Sequence, residues 1–127
     1  MSVKNKKQFG IWMDSQHATI VGRDQLNSGV FVVLSHEQNN DNSIHSSEHT
    51  SNNAERSSQL KFFKGITSHM QNIEELHVTG TGQVQEQFIH YLTETPQFKN
   101  TIAKQSTSNK MSDEKLIEFI SEKFNQQ

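Results

Sequence analysis

The chain has 127 residues, no cysteine, a formal net charge of −2 and a mean hydropathy of −0.79. This length predicts one domain, residues 1–127, and the missing cysteines exclude a disulfide framework, a thiol nucleophile and a thiolate metal site. No apolar run approaches the ~20 residues that span a bilayer, and no apolar core with a cleavage site follows the basic tail over residues 1–7. The expectation is therefore a cytoplasmic protein without a membrane partner. Asn, Gln, Ser and Thr make up 48 residues against 30 Leu, Ile, Val and Phe. That is enough apolar matter for one core, and the net charge is too small to hold the chain open. The mild acidity argues against gripping nucleic acid by bulk charge, so any RNA contact must be local.

In chain order, Gln8–Asp14 alternates as a strand, with Phe9, Ile11 and Met13 on one face and Trp12 on the other. Ala18–Gly22 and the β-branched run Val30–Leu34 give two more strands. The connections Ser15-Gln16-His17 and Asn27-Ser28-Gly29 carry turn residues, which predicts a three-stranded antiparallel meander. Residues 35–53 contain one large apolar side chain, Ile44, and are expected as a long polar loop.

Asn52 with Glu55 resembles a capping box for a helix running to about Asn72. Its expected inward stripe is Leu60, Phe63, Ile66, Thr67 and Met70, with Arg56, Lys61 and Lys64 outside it. Glu75–Thr79 reads as a strand. Gly80-Thr81-Gly82 then turns into a helix over Gln83–Thr95, with Val84, Phe88, Tyr91 and Leu92 inward and Pro96 beyond its end. Thr101–Gln105 is a last short strand. Ser112 caps a final helix whose first turn carries Asp113 and Glu114, complementing the dipole, and whose apolar face is Leu116, Ile117, Phe119, Ile120 and Phe124. The order strand-strand-strand-helix-strand-helix-strand-helix predicts an α/β fold, a mixed five-stranded sheet with three helices.

That order is the ribonuclease H-like one, and within it two segments resemble the middle domain of Pelota and of the eukaryotic and archaeal class-I release factors. Residues 10–22 (GIWMDSQHATIVG) look like that domain's opening hairpin, an apolar strand ending in Asp, a turn, then Ala and a second apolar strand. Residues 80–92 (GTGQVQEQFIHYL) look like its Gly-Pro-Gly, acidic-x-Phe, Tyr-Leu segment, where a strand enters a helix. The resemblance implies a role in translation, with the loop before the first helix entering the peptidyl-transferase region of the ribosome. It also marks departures. The Gly-Gly-Gln tip expected near Ser46–Asn53 is missing, which removes the basis for peptidyl-tRNA hydrolysis. Gln85 replaces the lysine usual after the Gly-rich turn, and the flanking domains are absent, so a stand-alone relative is expected.

Each chemistry-bearing pattern has a plainer alternative. His45-Ser46-Ser47-Glu48-His49 is a literal H-x-x-E-H, a zinc-protease pattern that needs a rigid helix, a third ligand and a dry cavity. It stands among Asn and Ser and is read as fortuitous, leaving His45 and His49 as the metal candidates it supplies; no cofactor is expected. Asp14 ends the first strand where ribonuclease H-like nucleases hold metal. Thr79 and Gly80 occupy the place of a partner acid, so Asp14 is expected to start a turn by hydrogen bonding. Gly80, Thr81 and Gly82 are candidates for cradling a phosphate, but lack a third glycine or a Gly-Lys-Ser/Thr continuation, and turning the chain is the plainer reading. His77 and His90 are expected to be satisfied inside the fold.

The functional expectation is a non-catalytic factor that binds the ribosome or tRNA in a rescue or hibernation-like role, contacting it through Ser46, Ser47, His49, Thr50, Arg56, Lys61 and Lys64. For Arg56, Lys61 and Lys64 a solvated helix face is the plainer reading, since no aromatic is interleaved to stack on bases. The alternative is a protein-interaction or self-associating module without RNA.

Overall fold

The computed structural model describes residues 7–23, 30–39, 48–70 and 73–125, with the backbone path alone at 48–57 and 125. Five strands form one sheet: β1 (Gln8–Met13), β2 (His17–Arg23), β3 (Phe31–Gln38), β4 (Glu75–Gly80) and β5 (Ile102–Thr107), in the spatial order β3-β2-β1-β4-β5. β1, β2 and β3 pair antiparallel, while β4 lies parallel to both β1 and β5. Helices α1 (Glu48–Thr67), α2 (Gln83–Thr93) and α3 (Asp113–Asn125) complete the expected mixed α/β arrangement.

The alternation of strand side chains sorts the apolar residues into two cores. Phe9, Ile11, Met13, Ala18, Ile20, Leu76 and Val78 face α1 and α2, which supply Phe62, Phe63, Ile66, Val84, Phe88 and Leu92. Trp12, Val21 and Phe31 face α3 and meet Leu116, Ile120 and Phe124, with Ile117 and Phe119 partly buried beside them. The Trp12 indole N–H donates to the Asn109 carbonyl at 3.1 Å, satisfying the one polar atom this ring buries. Ser112 caps α3 as expected, its Oγ accepting from the Lys115 N–H at 3.3 Å.

Three expectations need correction. The polar loop is shorter than residues 35–53, because β3 continues to Gln38 and α1 starts at Glu48, ahead of Asn52. Ladder bonds to β2 extend β3 through a polar stretch, and its side chains find partners on the flanking helices. His36 Nε2 lies 2.9 Å from Asp113 of α3, and His69, just past α1, lies 2.9 Å from Glu37. The inward stripe of α1 contains Phe62 in place of Leu60, which is 45% exposed. Helix α2 ends at Thr93, two residues early, where Thr95 Oγ1 donates to the Tyr91 carbonyl at 2.7 Å. The expected turn at 27–29 and the basic tail over 1–6 lie outside the described residues.

Candidate functional site

The expected ribosome contacts divide into those described and those not. His45, Ser46 and Ser47 lie outside the described residues. His49, Thr50 and Arg56 lie on the backbone of α1, and their side chains are likewise outside. Lys61 and Lys64 are exposed on α1 but border different hollows. Lys61 lines one with Glu37, Gln38, Asn39, Ser58 and Phe62; Lys64 lines another, of about 640 Å³, with Tyr91, Thr95 and Phe98. Three residues apart, the two lysines share one side of α1, yet neither of these two hollows is lined by both.

Asp14 starts a turn at the end of β1. One of its carboxylate oxygens accepts from the Gln16 N–H at 2.8 Å and the His17 N–H at 2.6 Å. This satisfies the backbone of the hairpin locally, the reason Asp is favoured there. Among the described residues, no three His, Asp or Glu side chains gather into a metal-holding group.

The Gly80-Thr81-Gly82 turn is built for close approach. A Cβ on Gly80 would lie 1.9 Å from the Met13 carbonyl oxygen, so any side chain would push β4 away from β1. Gly82 has φ +146°, which L side chains rarely adopt. Its N–H, the natural phosphate donor of this turn, already donates to the Gln85 side-chain carbonyl at 2.9 Å. Gln85 is 1% exposed, and its Nε2 also donates to the Ser106 carbonyl at 2.9 Å. Where the resembling family has lysine, this chain uses a buried amide to tie the turn, α2 and β5 together.

On the α3 side of the sheet, β4 and β5 carry a polar chain that reading the sequence missed. The register sets His77 beside Lys104 and Thr79 beside Ser106. His77 Nε2 lies 2.8 Å from Ser106 Oγ, Ser106 Oγ donates to Thr79 Oγ1 at 3.0 Å, and Thr79 Oγ1 lies 2.8 Å from Ser108 Oγ. Phe119 meets the His77 ring edge-on at 5.9 Å between centroids. Burial, with Lys123 and Lys104 nearby, pushes the His77 pKa down to about 4, so the ring is neutral at physiological pH. The signal that could have found this cluster is the alternation Lys104, Ser106, Ser108 opposite His77 and Thr79. His90 departs from expectation: its side chain is 73% exposed on α2, 3.4 Å from Glu94. A second polar chain crosses three strands: Arg23 Nε donates to Gln8 Oε1 and Gln8 Nε2 to Glu75 Oε1, each at 2.6 Å.

A three-stranded meander continued by two parallel strands, with helices on both sheet faces, places the chain in a defined α/β class. Solved structures of the same fold are the Pelota protein of Thermoplasma acidophilum (TM-score 0.61, 15% identity), that of Archaeoglobus fulgidus (0.51, 16%) and an archaeal translation termination factor (0.52, 10%). They cover 91%, 94% and 94% of this chain, which matches 32%, 32% and 38% of theirs. The chain thus spans about a third of the length of these proteins. No family model and no curated protein sequence matches it. Among the described residues no helix is long and apolar enough to cross a membrane.

Proposed function

We propose that this protein is a translation-associated factor that binds the ribosome or tRNA without catalysing a reaction, in a rescue or hibernation-like role. The observation that carries this reading is the shared fold over nine-tenths of the chain with an archaeal translation termination factor and with two Pelota proteins. The contacts would come from Ser46, Ser47, His49 and Thr50, in the stretch near Ser46–Asn53 where the resemblance implies the tip, together with the adjacent Arg56, Lys61 and Lys64. A binding role is further supported by the missing Gly-Gly-Gln and by Asp14, whose carboxylate is engaged by the hairpin backbone.

The test is sedimentation of the untagged protein from cell lysate through sucrose gradients at 50 and 200 mM salt. Co-migration with ribosomes or a subunit at low salt, lost when Arg56, Lys61 and Lys64 are changed to alanine, is the expected result. A few phosphate contacts weaken by an order of magnitude or more over that salt range. Signal confined to the top of the gradient in growing and starved cells alike would overturn the reading. The competing interaction-module reading draws on exposed Val30, Leu34 and Ile102 on or beside edge strands; sedimentation velocity of the purified chain tests its self-association.

A further inference from the structure

Between α1 and α2 runs a groove of about 710 Å³ lined by Gln59, Leu60, Phe63, Glu86, Gln87, His90, Tyr91 and Glu94. Its floor is aromatic. Phe63 packs edge-on against Phe88 at 5.1 Å and tilted against Tyr91 at 5.5 Å. One lip is Leu60, a large apolar side chain left 45% exposed. The other is the stripe Glu86, His90, Glu94, spaced four residues apart and so stacked along one flank of α2. Among the side chains described, no lysine or arginine lines the groove, and Lys64 stands in the adjoining hollow beyond Tyr91. The Gln59–Gln87 side-chain bond at 2.9 Å holds the two helices together at one end.

An apolar floor with the carboxylates of Glu86 and Glu94 along one wall has a definite complement. We infer that this groove docks a helical segment of a partner protein that presents an apolar stripe to Leu60, Phe63 and Tyr91 and basic residues to α2. Glu86 and Glu94 lie about 12 Å apart along α2, at 1.5 Å per residue, so the matching Lys or Arg residues stand seven or eight positions apart in the partner. The inference is independent of the ribosome reading, because it uses none of the residues assigned to that contact.

Two synthetic helical peptides test it, identical in a leucine stripe and differing only at two flanking positions eight residues apart, Lys in one and Glu in the other. Titrated into the ¹⁵N-labelled full chain at 50 mM salt, the lysine peptide is expected to shift the amides of residues 59–63 and 86–94. Its affinity should fall at least tenfold in the double variant Glu86→Lys/Glu94→Lys, which should instead bind the glutamate peptide. Leu60→Lys should abolish binding of either peptide. All three positions are exposed, so the variants should melt as wild type does, and a circular-dichroism melt checks this. Equal binding of both peptides, shifts elsewhere, or no binding would each overturn the inference. So would a dimer in sedimentation velocity that Leu60→Lys dissociates, because the groove would then be filled by a second copy. Leu60→Ser, which adds no charge, should also lose the lysine peptide while leaving ribosome co-sedimentation unchanged, which separates failure here from failure of the functional proposal.

Discussion

His77 makes the pH response of this fold a sharp test of its buried polar chain. The imidazole is 7% exposed, hydrogen-bonded to Ser106 and faced by Lys104 and Lys123, and its pKa is lowered from 6.5 to about 4. In the unfolded chain the same ring protonates near 6.5, so between those values the unfolded state binds more protons. Stability must therefore fall as pH drops from 6.5 towards 4. Linkage puts the loss from this one group at about 2 kcal/mol by pH 5, approaching about 3 kcal/mol below pH 4. The perturbation is His77→Gln, which keeps a side-chain N–H for Ser106 Oγ but does not titrate. At pH 7 the variant should be less stable by about 1 kcal/mol, having lost the ring's contact with Phe119. By pH 5 it should be the more stable protein, because carboxylate effects common to both cancel in the comparison. Urea unfolding at pH 7 and pH 5 measures the crossing, and the His77 ring resonances report its titration directly. A midpoint near 6.5, or equal losses in the two proteins, would refute the reasoning.

Gln85→Ala leaves both the Gly82 N–H and the Ser106 carbonyl without their partner, and should cost about 2–3 kcal/mol in urea unfolding. Gly80→Ala sets a methyl 1.9 Å from the Met13 carbonyl oxygen, a backbone atom that cannot rotate away. A loss of about 3 kcal/mol or more is expected, with hydrogen-exchange protection falling first in β1 and β4. Gly10→Ala instead meets three Ile120 side-chain carbons within 2.6 Å. Alone it should cost about 1–3 kcal/mol, and combined with Ile120→Ala it should cost clearly less than the sum of the two; additive losses would show that α3 does not sit on β1 at that point.

What the sequence made legible follows from which forces it writes down. The strands β1, β2 and β4 and helices α2 and α3 announce themselves because burial imposes a period on their apolar residues. The second half of β3 carries no such mark. Ser35-His36-Glu37-Gln38 is strand because β2 offers a ladder and Asp113 of α3 and His69 just past α1 offer side-chain partners, neither visible in a local window. Leu60 misled for a geometric reason. It lies three residues before Phe63, a helical interval, yet at 100° per residue it falls about 90° from the centre of the stripe formed by Phe62, Phe63, Ile66, Thr67 and Met70. The His77 chain stayed hidden because its register depends on a parallel pairing between strands joined through α2.

The two segments that carried the family resemblance have a common physical content. Residues 10–22 hold Gly10 beneath Ile120, the Asp14 turn, and Gly22, whose Cβ would lie within 3.0 Å of Leu34 and Phe9 side-chain carbons. Residues 80–92 hold Gly80 against Met13, Gly82 at positive φ, and the buried Gln85, Phe88 and Leu92. Each is a place where two pieces of backbone approach too closely for a side chain, or where a turn or core position admits few residue types. Such positions specify this sheet and its helix docking, and they do so whatever the molecule binds. A fold specified by so few positions allows a likeness spanning nine-tenths of the chain at 10–16% identity. The fold and the proposed binding role then rest on different residues. In the proposals above the role falls to Lys61, Lys64 and the acidic lip of α2, none of which takes part in those close approaches.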